Sequence, residues 1–170
     1  WAPQDGLERI FYTTVTAILT GIGFALLLIS GMIMRGEKID TRRGLLWGAG
    51  GFIAFVLAPS LGLPPELPGM ITSDILARQT WWIATAVASI VGLWFLVFSE
   101  KIYYKIFAVI IALTPHLVGA PHPEVLSANG VPPELAAQFV TVSIAVGGLF
   151  WALIGGFSGY FYERLERTNS

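Results

Sequence analysis

Long unbroken apolar runs alternate along the chain with short stretches carrying charge, proline or glycine, and this pattern predicts helices instead of strands. A hydrocarbon core of ~30 Å needs about 20 apolar residues in helix. Breaks in apolar character give five candidate spans, at residues 10–34, 44–58, 80–98, 102–118 and 135–161. The second is short and stops at Pro59, within APSLGLPPELPG, where Pro64, Pro65 and Pro68 prevent continuation. The fourth is also short and carries Pro115 near its end. None alternates with period two, as a transmembrane strand would. The predicted fold class is an all-α integral membrane protein, a single transmembrane domain over residues 1–170 built as a bundle of five helices.

A weak tandem repeat overlies this pattern. PPEL occurs at 64–67 and again at 132–135, each time ahead of a long apolar run. Upstream, Ala58-Pro59-Ser60-Leu61 and Thr114-Pro115-His116-Leu117 both close a short run. The two hairpins therefore read as parallel copies of one unit, and paired proline-interrupted segments at matching positions mark substrate sites in transporters. Packing signals lie elsewhere. Gly148, Ala152 and Gly156, with Gly155 and Gly159 beside them, form a small-residue face on the last helix, and Gly44 with Gly48 forms another on the second.

Composition sharpens the class. With 55% hydrophobic and 12% charged residues among 170, the chain is too apolar for a water-soluble domain of this size. A net charge of −1 gives no electrostatic footprint for nucleic acid. No cysteine is present, which excludes disulfides, thiolate metal sites and cysteine nucleophiles. The polar lead WAPQDGLER has no basic region followed by an apolar core, so no signal peptide is expected.

Charge distribution then predicts orientation. Eight of the ten basic residues fall in the first and third connections and the C-terminal tail, leaving Arg9 and Arg78 on the other side. Basic loops stay in the cytoplasm, so the N-terminus is expected outside and the C-terminus inside. Trp81 and Trp82 are expected at the outer interface, where aromatic rings gather. Asp74 and Arg78, four apart, read as an ion pair on one helix face.

The candidate chemistry sits on the outer side. His116, His122 and Glu124 occur within TPHLVGAPHPE, and the PPEL turns add Glu66 and Glu134. Imidazole with carboxylate suits a borderline divalent ion such as cobalt, nickel or zinc, and the absence of thiolate suits a site that must release its ion. These five residues are the candidate metal ligands. No nucleotide loop, HExxH or GxSxG is present, and no nucleophile pairs with a base, so an enzyme is not expected. No ionisable residue lies deep in a span, which argues against a proton relay built from this chain alone.

LAPSLGLPPELPG at 57–69, ARQTWW at 77–82, PHLVGAPHP at 115–123, VPPEL at 131–135 and the downstream Phe150-Trp151 and Gly155-Gly156 resemble the CbtA family of predicted cobalt transporter subunits. The resemblance implies a small multi-pass permease subunit of the bacterial inner membrane. It further implies cobalt import, with no permanently bound cofactor. The lipid bilayer and a small single-helix membrane protein with a His-rich tail are the implied partners. Similar proteins begin with a further N-terminal helix ahead of the segment resembling DGLERIFYTTV. The alternative function is an accessory or structural subunit of a larger membrane complex without transport activity of its own.

Overall fold

The computed structural model describes residues 2–123 and 131–169. Among these, all regular structure is helical, in five elements. Helix α1 runs Leu7–Arg35 and is closed by Gly36 in the left-handed region, φ 69°, where the absence of a Cβ removes the steric cost. Helix α2 begins at Thr41, because the Asp40 carboxylate accepts the Arg43 amide at 2.9 Å and so draws the charged residues 41–43 into the first turn. Helix α3 is Ile75–Phe98, capped in the same way by Asp74, which accepts the Ala77 amide at 2.9 Å. Helix α4 is Ile102–Val118, and α5 is Pro133–Asn169.

Pro59 does not end α2 as the sequence suggests. The α-helix Thr41–Phe52 widens into a π-helical stretch, Ile53–Leu57, and a last turn continues through Ser60 with Pro59 inside it. The Ala58 amide reaches back five residues to the Ile53 carbonyl. Proline has no amide to give and its ring crowds the carbonyl four residues earlier, so a wider turn just before it is the local solution.

Among the described residues, four helices are long and apolar enough to cross a membrane, Leu7–Arg35, Thr41–Ser60, Ile75–Phe98 and Pro133–Thr168, and α4 is a shorter apolar helix. Burial within the molecule is low, 11% for the apolar window of α1, so most apolar side chains point outward. That is the arrangement expected where lipid tails are the solvent.

The chain divides into two compact units. The first comprises residues 1–48 and 151–170. In it α2 and α5 approach backbone to backbone: a Cβ on Gly44 or Gly155 would strike the other's carbonyl oxygen, and one on Gly48 would strike that of Trp151. Gly159 meets Asp40 and Thr41 in the same way. Glycines four apart on both helices permit this approach, and packing replaces the hydrophobic effect as the force between helices. Trp151 is buried here and tilts against Phe24 of α1 at 4.8 Å between centroids. Lys38, in the α1–α2 connection, lies 3.8 Å from Glu163 of α5.

The second unit is residues 49–150. Its centre is the antiparallel pair α3 and α4, where Gly92 faces Ala108 and Ala112, and Thr85, Ala86, Ala88 and Ser89 are buried. The Thr85 hydroxyl donates to the Trp81 carbonyl at 2.8 Å, which satisfies it inside the helix. Phe95 stacks on Tyr104 at 5.4 Å and meets Phe107 edge-on at 5.6 Å, closing the other end of the pair.

Candidate functional site

The candidate site lies in the second unit, where the α2–α3 loop and the segment after α4 meet around Trp81. This side chain is 7% exposed, unlike the interfacial ring the sequence suggests. Its indole Nε1 donates to the Pro115 carbonyl at 3.0 Å, and its ring stands edge-on to His116 at 5.6 Å between centroids. Gly62, in the loop, would place a Cβ 2.5 Å from the Trp81 ring and 2.9 Å from Ala120, so only hydrogen fits there. Ser73 Oγ donates to the Pro121 carbonyl at 3.0 Å. Two chain segments are thus stitched to the start of α3 and the end of α4 through one indole, one glycine and one hydroxyl.

The loop itself is shaped by its prolines. The Met70 amide donates to the Leu67 carbonyl at 3.2 Å, and Gly69 takes φ 94° behind Pro68, the residue order a type II turn requires. This turn follows Glu66 directly. The Glu66 carboxylate pairs with the Arg78 guanidinium in the first turn of α3, with side chains 23% and 27% exposed. Oxygen Oε2 of Glu66 is shut off from water, and Arg78 is the group against it. Arg78 therefore does not pair with Asp74; that carboxylate caps α3 instead.

The sequence-predicted ligands take different settings. His116 is half-buried in the last turn of α4, and His122 is exposed in the segment that follows. Glu66 is half-buried and paired; Glu134 is exposed in the first turn of α5, where a carboxylate complements the helix dipole. Glu124 lies outside the described residues. Among the described residues, no three His, Asp or Glu side chains gather into a group that would hold a metal ion. Trp81, Gly62 and Arg78 are the parts of the site that sequence reading missed. Nothing in the spacing marks them, because each acts on a residue distant in the chain.

Apolar helices of transmembrane length, several in one chain, define a multi-pass membrane protein. The chain belongs to the CbtA family, described as "probable cobalt transporter subunit", and the match spans residues 1–163. Its role is accordingly in transport. No curated protein and no solved structure matches the chain.

Proposed function

We propose that this chain is the permease subunit that admits a divalent cation, cobalt, across the inner membrane, with its N-terminus outside and its C-terminus in the cytoplasm. The observation that carries the reading is the family match over residues 1–163. The Trp81-centred mouth supports it: His116 is half-buried yet reachable, and His122 follows on an exposed segment. His116, His122 and Glu124 are the proposed first ligands, with Glu66 and Glu134 contributing field and oxygen donors. Cobalt is cargo here, and no cofactor is bound permanently.

The hairpins α2–α3 and α4–α5 are read as tandem copies. In support, PPEL lies ahead of α3 and at the start of α5, and α2 and α4 each carry a proline within their last turns. The partners proposed are the bilayer and a small single-helix membrane protein with a His-rich tail.

Changing His116 and His122 together to Ala should lower cobalt accumulation by cells at limiting cobalt, with protein abundance unchanged; wild-type accumulation would refute the ligand assignment. A second reading, an accessory subunit without transport of its own, is favoured by the family's designation as a subunit and by spans lacking ionisable groups at depth. Reconstitution separates the two. Cobalt entry into vesicles holding this chain alone supports the permease, and entry only after a second membrane protein is added supports the accessory role.

A further inference from the structure

We infer that Arg78 is a specificity-determining residue of the proposed mouth: its guanidinium occupies Glu66 as a built-in monovalent cation that a cargo of higher charge displaces. The inference rests on the reading of this region as a cation entrance. Arg78 and Trp81 lie three apart on α3 and so occupy neighbouring positions on one side of it. Arg78 holds Glu66. Trp81 holds the end of α4 through the Pro115 carbonyl and abuts His116. The carboxylate and the imidazole are therefore anchored to adjacent points of one helix, although 50 positions separate Glu66 from His116.

Charge decides what can enter. With Oε2 closed off from water, Glu66 needs a cation against it, because a half-buried carboxylate without one is strongly disfavoured. Sodium or potassium replacing the guanidinium would restore the same single charge while shedding a more tightly held shell of water. A divalent ion replaces one charge with two and accepts an imidazole as well as a carboxylate, so it alone gains on both counts. The released guanidinium stays at the mouth as a like charge, which also opposes the entry of a second ion.

Cobalt(II) binding by the purified full chain in detergent, measured by equilibrium dialysis, tests this. Arg78→Gln should bind cobalt at least about fivefold more tightly than the parent, since the ion then meets a half-buried carboxylate left without its cation. The gain should vanish in the Glu66→Gln background, since the two side chains act as one unit. Arg78→Lys, which keeps the charge on a more strongly hydrated head group, should fall between. Potassium substituted for choline at fixed ionic strength should weaken cobalt binding to Arg78→Gln and leave the parent unaffected. Unchanged affinity in Arg78→Gln, at a helical content equal to the parent's, overturns the inference. So does a gain that persists without Glu66, because that is a general field effect, or potassium competition in the parent. If the parent binds cobalt, His116→Ala abolishes the binding and Arg78→Gln leaves it unaltered, the entrance stands and only the role of Arg78 fails. If the parent binds no cobalt, the entrance fails and the inference with it.

Discussion

Trp81 illustrates how one side chain can organise a region by having both a large apolar body and one donor. Its ring fills the space left by the missing side chain of Gly62, and its N–H supplies a second donor to the Pro115 carbonyl, which also accepts the Gly119 amide at 3.1 Å. Trp81→Phe keeps most of the ring and should cost about 1 kcal/mol, the net worth of one hydrogen bond. Trp81→Ala should cost about 3–5 kcal/mol, since it empties the site as well. Thermal unfolding of the two variants checks the order. Tryptophan at this position was legible as an aromatic at an expected helix start, but its partner was not. Interfacial and buried tryptophans have the same local sequence, and what separates them here is a glycine in another loop. Glu66 and Arg78 are a similar case: Asp74 is nearer in sequence, yet its carboxylate is spent on a backbone amide.

Helix ends and helix contacts behaved differently under sequence reading. The existence of the helices followed from apolar length, since only helices and closed barrels satisfy backbone groups in lipid and the runs lack a barrel strand's alternation. The starts of α2 and α3 did not, because charged residues in a first turn look like loop until the capping carboxylate is recognised, as with Asp40 before 41–43 and Asp74 before Arg78; the start of α4 at Ile102, where no such carboxylate intervenes, was read correctly. The glycine faces on α2 and α5 were legible from four-residue spacing, but the spacing could not say which would meet backbone. Gly44, Gly48, Gly155 and Gly159 do; Gly148 and Gly156 meet only the side chains of Phe52 and Leu45. Gly155→Ala should therefore lose about 1–3 kcal/mol through overpacking. Gly50→Ala, with nothing within 4 Å of its Cβ position, should be neutral or gain a few tenths from helix propensity. Their unfolding midpoints in one detergent compare them directly. The α2 cap adds a pH signature. The Arg43 amide is the main cause holding the Asp40 carboxyl below its ordinary 3.8; the charges of Arg43 and Lys38 act the same way, and burial opposes them. A lowered folded-state value stabilises fully above the unfolded one and is lost as pH falls through the folded one. Acidification below 3.8 should thus lower the unfolding temperature of the parent more than that of Asp40→Asn, which caps without titrating.

For the whole molecule, the proposed orientation makes a direct claim about accessibility. The chain has no cysteine, so single cysteines can be introduced at Lys38 and at Leu61, whose side chain and residue are 65% and 75% exposed. An impermeant thiol reagent added to intact cells should modify the Leu61→Cys protein and spare the Lys38→Cys protein; the reverse pattern inverts the topology. Helix lengths carry a further consequence. At a rise of 1.5 Å per residue, α1 with its 29 residues extends ~44 Å, whereas α4 with its 17 extends only ~26 Å. Both belong to one chain and must be accommodated by one bilayer. In the proposed topology, where α4 also crosses, lipid next to α4 thins or its flanking residues snorkel, and α1 tilts or carries its ends into the headgroups, at a fraction of a kcal/mol for each ångström of mismatch. Acyl-chain length therefore acts on this protein as a mechanical variable: vesicles of short-chain lipid relieve the strain at α4, those of long-chain lipid increase it, and membrane thickness sets how firmly the His116 end of α4 is held.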